Sequence, residues 1–122
     1  MGVRQRDQAG AATAELALGI PLLVALTAGL VWMLAVGAAQ VRVIDASREA
    51  ARAVARGDDA AAAEAVALRI APEEASVRIA IGEGQVVVTT SARISGPGGL
   101  LASLPGVTVT ADAVALVEAG AP

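Results

Sequence analysis

The chain of 122 residues has no cysteine, histidine, lysine, phenylalanine or tyrosine, and its only aromatic side chain is Trp32. Each absence removes chemistry. Without Cys there is no disulfide framework, thiolate metal site or Cys nucleophile. Without His there is no imidazole base, no Ser-His pair and no ordinary zinc site. Without Lys there is no phosphate loop ending in GK[ST] and no Schiff-base amine. A net charge of −3 gives no support for a nucleic-acid partner. The acid pairs Asp58-Asp59 and Glu73-Glu74 lack the spacing of a metal loop and sit beside a helix start and a Pro turn. Glycines 82, 84, 96, 98 and 99 punctuate turns and form no strand-to-helix nucleotide motif. No cofactor, no small-molecule substrate and no enzymatic activity are expected.

What the chain has in excess is apolar residues, 56% of the total, with a mean hydropathy of +0.66. Much of that excess is concentrated in residues 16–39, LALGIPLLVALTAGLVWMLAVGAA, a run of 24 residues without a charge. As a helix rising ~1.5 Å per residue the run reaches roughly 36 Å, enough for a hydrocarbon core about 30 Å thick. Glu15 closes it on one side, and Gln40 and Arg42 on the other. The basic residues flanking the run are Arg4 and Arg6 before it and Arg42, Arg48, Arg52 and Arg56 after it. That count alone favours a cytoplasmic location for the C-terminal side. A buried core helix and a cleaved signal peptide are the other readings of an apolar run. The second has small residues Gly37-Ala38-Ala39 at the positions a signal peptidase prefers, which would release a small secreted binding domain starting at Gln40. Against it, the run is about twice the usual signal core of 7–15 residues.

Glu15 is a carboxylate at the mouth of the apolar run, costly there unless it stays near the headgroups or finds a cation. One reading makes it an interfacial helix cap, with Thr13 as a weak cap candidate. The other requires a partner. A cut between Gly10 and Ala11 would create an α-amine at Ala11 one helical turn from Glu15, to be paired within the subunit or across to a neighbour. Pro21 loosens the helix within the span, and Ala25 and Gly29, four apart, are a weak helix-packing signal.

A short basic leader ending in Gly10, then a small residue, then Glu15 and a long apolar helix, resembles the class III signal of type IV pilins and pseudopilins. More specifically, AATAELALGIPLLVALTAGL (residues 11–30) resembles the TadE family of minor pilins, in which Glu opens the span and Pro follows six residues later, here Glu15 and Pro21. The segment DASREAAR (residues 45–52) is similar to the AAREGAR-type stretch that TadE-like proteins carry just beyond the membrane. The resemblance implies cleavage by a prepilin peptidase between Gly10 and Ala11, with Glu15 and Pro21 serving assembly and helix pairing. It implies a single-pass protein of the cytoplasmic membrane with its C-terminal domain outside, the opposite of the Arg count. Its implied partners are other pilin or pseudopilin subunits and the Tad assembly platform, with incorporation into surface pili as one outcome. Leu16 stands where the major pilins usually carry an aromatic, which fits a minor subunit better.

Beyond the span, residues 40–56 (QVRVIDASREAARAVAR) read as a continuation of the helix. Arg42, Asp45, Glu49, Arg52 and Arg56 step by three and four onto one face, while Val41, Ile44, Ala51 and Val54–Ala55 favour the other. With Arg48 they form a juxtamembrane charged face, either a solvated stripe or a source of inter-subunit salt bridges. Intrahelical pairs are expected for Asp45–Arg48 and Glu49–Arg52. Gly57 and Asp58-Asp59 predict a helix stop followed by a new N-cap, and a second helix ends before Pro72. Alternation from Ser76, the turn Gly82-Glu83-Gly84 and a β-branched run from Gln85 to Ser95 predict a hairpin. A Gly/Pro-rich loop holding Leu100, Leu101 and Leu104 leads to a third strand from Val107 to about Glu118. The expected fold is an α+β membrane protein: a long N-terminal transmembrane helix extended into a spine, a second short helix, and a small three-stranded antiparallel sheet. Its regions are a leader (1–10), the transmembrane helix (11–39), an extracytoplasmic helical region (40–71), a β region (72–118) and a frayed tail (119–122). With no aromatic ring in the last part, little area can be buried, so it is expected to lean on the helical spine or on neighbouring subunits.

Overall fold

A computed structural model describes residues 2–96 and 105–117. Two helices are followed by three strands: α1 (Gly2–Ala55), α2 (Ala60–Ile70), β1 (Ser76–Gly82), β2 (Gln85–Ile94) and β3 (Val107–Leu116). The expected fold is therefore the observed one. The chain divides into two compact units, Met1–Met33 and Leu34–Pro122, and α1 contributes to both.

In the first unit the helix has no hydrophobic side to hide. Leu18 is 77% exposed, and Leu16, Ile20, Leu22, Leu23, Val24, Leu26, Leu30, Val31 and Met33 are exposed as well. A helix apolar all round suits a lipid environment rather than water. By length and composition α1 is able to cross a membrane. Pro21 lies inside the helix; lacking an N–H, it leaves the Ala17 carbonyl without its usual intrahelical donor. Thr13 is not a cap. It sits in the helix interior, and its hydroxyl donates back to the Ala9 carbonyl at 2.9 Å, a bond available to any mid-helix Thr.

The second unit is built on the later turns of α1. The helix stops because Gly57 takes φ +105, a conformation that side chains with a Cβ rarely adopt. Asp58 N–H donates to Ala53 O and Gly57 N–H to Val54 O, both at 3.0 Å, the paired bonds of a Schellman stop. Asp59 then caps α2, its Oδ1 accepting from Ala62 N–H at 2.7 Å, so the expected stop and new N-cap are both formed. The two-residue turn between β1 and β2 holds Glu83 (φ 53) and Gly84 (φ 77), the positive pair of a type I′ hairpin.

The sheet is an antiparallel meander in the order β1-β2-β3. Along β2 the buried residues are Val86, Val88, Thr90 and Ala92, a strict alternation. They meet a stripe of α1 made of Ala39, Val43, Ala46, Ser47, Ala50 and Val54, spaced as one helical face. Ala63 and Ala67 of α2 join the same core, so the sheet packs on both helices. Ala39 and Val43 pack with Ala92 and Val109, and Val36 lies against that cluster. Of the expected apolar face Ala51 and Val54 are buried and Ile44 and Ala55 half-buried. Val41, however, is 57% exposed, because it falls about 160° around the helix from Val43. The buried stripe runs instead through Val43, Ala46, Ser47 and Ala50. Strand ends fall at Ile94 and Leu116, one residue short of Ser95 and short of Glu118. Residues 97–104 of the predicted leucine loop (96–106) and the tail (residues 119–122) lie outside the described residues, as does Glu118.

Candidate functional site

The residues singled out from the sequence fall into two groups, one in each unit. Gly10, Ala11, Glu15 and Pro21 belong to the first unit and lie in α1, and all of them are solvent-facing. Ala11 and Glu15 are four residues apart, just over one turn or about 6 Å along the axis. In the uncut chain Glu15 stands 13 residues after the helix begins at Gly2, far beyond the first turn in which a helix dipole favours an acid. Only a helix beginning near Ala11 would bring that effect to bear on it. Further along, Ala25 and Gly29 line an open apolar notch of about 350 Å³ together with Leu26, Leu30, Trp32 and Met33. The Trp32 Nε1–H is shielded and has no acceptor among the described residues.

The second group lies on the later turns of α1. Glu49 is its hub: Arg52 Nη1 lies 3.8 Å away and Arg56 Nη2 3.7 Å away, and Arg56 also reaches Asp58 at 3.9 Å. These side chains are between 37% and 69% exposed, so each pair is worth at most about 1 kcal/mol and is screened by salt. The expected Glu49–Arg52 pair forms, whereas Asp45 and Arg48 are not among the ion pairs of the described residues. Arg42 makes a contact of its own. Its Nε donates to the Ile70 carbonyl at 3.1 Å, satisfying one of the open carbonyls at the end of α2. The charged residues are thus only partly one surface: Glu49, Arg52 and Arg56 form a connected group, Arg42 is a helix cap, and Asp45 and Arg48 are exposed.

Two polar residues of α1 that the charge pattern left aside hold the second unit together. Ser47 is fully buried, with its Oγ 2.7 Å from Thr90 Oγ1 and 2.9 Å from the Ala111 carbonyl. Gln40 Nε2 donates to the Thr110 carbonyl at 3.3 Å. The signal for Ser47 was its position four residues after Val43, in the middle of the apolar stripe. Among the described residues no group of three or more Asp or Glu side chains gathers to hold a metal.

These features define a class: among the described residues, one apolar helix long enough for a bilayer, its later turns serving as the backbone of a small three-stranded domain. Residues 10–52 match the family model described as TadE-like protein, which bears out the resemblance drawn from Glu15, Pro21 and the DASREAAR segment. The match covers the apolar run and the charged turns as far as Arg52, and ends before α2. No curated protein and no solved structure matches the chain.

Proposed function

We propose that the protein is a minor pilin or pseudopilin of a Tad-type pilus assembly and secretion system, structural rather than enzymatic. A prepilin peptidase removes residues 1–10, cutting between Gly10 and Ala11. The mature chain remains in the cytoplasmic membrane through residues 11–39 with its C-terminal domain outside, and packs through that helix against other subunits and the assembly platform. Glu15 pairs with the new α-amine, its own or a neighbour's, and Pro21 supplies the flexibility needed when a subunit leaves the bilayer.

The observation that carries this reading is the TadE-like match over residues 10–52, which opens on the very glycine proposed as the last residue of the leader. The all-round exposure of apolar side chains from Leu16 to Met33 supports a lipid-facing or subunit-facing helix. Release as a secreted domain by cutting after Ala39 is disfavoured by packing: Ala39 is 4% exposed within the core, and Val36 packs beside it. The test is Glu15→Gln. Membrane insertion should survive, because a neutral side chain enters lipid more easily, while the variant disappears from the assembled pilus fraction. Unchanged assembly of Glu15→Gln would remove the proposed role of the carboxylate.

A further inference from the structure

Among the described residues the sheet ends at β3, with no strand beyond it. The phase of the β2–β3 ladder follows from one bond: Val117 N–H donates to Gly84 O at 2.8 Å, one position beyond the Gln85–Leu116 pair. In antiparallel pairing, bonded and non-bonded pairs alternate. The pairs Val86–Ala115, Val88–Ala113, Thr90–Ala111 and Ala92–Val109 therefore exchange backbone bonds. Thr108, Thr110, Asp112, Val114 and Leu116 turn their N–H and C=O groups away from β2. One of these carbonyls is taken, since Gln40 holds Thr110 O. From residue 112 to 116 no backbone partner lies on that side among the described residues.

Exposed edges are usually blunted by Lys, Pro or a bulge. The sequence of β3, VTVTADAVAL, has none of these and a single charge, Asp112. Its register with β2 is unbroken over ten pairs. Beside this end of β3 runs a groove of about 600 Å³, with Arg52 and Arg56 on one wall and Leu116 and Val117 on the other. Arg52 and Arg56 hold their acids loosely, at 3.7 to 3.9 Å. A guanidinium with five N–H donors keeps capacity for another carboxylate. On the outer face Val114 is 61% and Leu116 77% exposed.

We propose that the edge of β3 over residues 112–116 takes an extended segment of a partner protein as an added strand, with acidic side chains of that segment set against Arg52 and Arg56. Successive side chains of a strand point to opposite faces. One row of the added strand faces the α1 side, where the two arginines stand, and the other lies beside Val114 and Leu116. The segment that fits alternates acidic and apolar residues. Backbone bonds to the edge supply the docking, and the two rows supply the selectivity.

The test uses the full chain in lipid nanodiscs and a capped, fluorescent hexapeptide alternating valine with glutamate, paired with a control in which lysine replaces glutamate. Saturable binding of the glutamate peptide is expected, with amide exchange at Asp112, Val114 and Leu116 slowed at least tenfold. Val114→Pro removes an N–H that the ladder does not use and should weaken binding at least tenfold. Arg52→Glu combined with Arg56→Glu should reverse the preference toward the lysine peptide, a readout that stands even if the proline variant fails to fold. Absence of saturable binding would overturn the proposal. So would amides at 112, 114 and 116 that are already protected in the protein alone, since a segment of the same chain would then hold the edge.

Discussion

Ser47 Oγ lies 2.7 Å from Thr90 Oγ1, and both side chains are completely shielded from solvent. Ser47 Oγ donates toward Thr90 Oγ1 and toward the Ala111 carbonyl at 2.9 Å, its single proton shared between two acceptors. Thr90 and Ala111 are register partners on β2 and β3. One hydroxyl on α1 therefore ties the helix to both strands at the centre of the sheet.

That geometry sets a sign for a mutant pair. Ser47→Ala leaves the buried Thr90 hydroxyl without its hydrogen-bond partner and should cost about 1–3 kcal/mol. Adding Thr90→Val removes the stranded group and should recover most of the loss. Chemical denaturation of the full chain in detergent, followed through the β signal, measures both. A double variant no more stable than Ser47→Ala would show that the hydroxyl pair is not what the core depends on.

The core itself is made of small side chains, and enlarging one should be felt. Ala50 is fully buried between α1 and the sheet. Ala50→Leu should destabilise the second unit by about 1–3 kcal/mol through overpacking. Leucine at the exposed Ala62 position, on α2, is the control and should leave the same denaturation midpoint nearly unchanged.

The Glu49 hub should matter little for stability. Its pairs are long and exposed, so Glu49→Gln is expected to shift stability by less than about 1 kcal/mol. The shift should disappear when the measurement is repeated in 1 M salt, where charges are screened within about 3 Å. A larger, salt-insensitive loss would mean that the charged group supports the fold.

Much of this architecture was legible because its signals are periodic. The 24-residue uncharged run, the alternation along β1 and β2 and the Gly57–Asp59 stop and start are local patterns, and each appears where expected. The division of labour along α1 was not legible in the same way. Arg42 and Glu49 look equivalent on a helical wheel, yet Arg42 serves the end of α2, a contact that depends on where the chain returns after Gly57. Ser47 hid among alanines for a related reason: a lone hydroxyl gives no periodic signal, and its partners lie 43 and 64 residues away. For the proposed site, sequence marks Gly10, Glu15 and Pro21 by type and spacing alone, because the helix they share makes no contact that distinguishes them.

Packing at Ala39 sets a further expectation. A chain starting at Gln40 loses Ala39 and Val36 from the cluster with Val43, Ala92 and Val109. It should be less stable than a chain starting at Leu34 by about 2 kcal/mol, from lost apolar burial alone. Thermal unfolding of the two fragments side by side measures the difference, and equal midpoints would mean that the cluster does not need the last turn of the apolar run.

Processing after Gly10 and anchoring through the helix that follows are tested most directly by the N-terminal sequence of the protein extracted from membranes. A start at Ala11 is the result predicted, with Glu15 then within the opening turns of the mature helix. An intact Met1, or a start at Gln40, would contradict it.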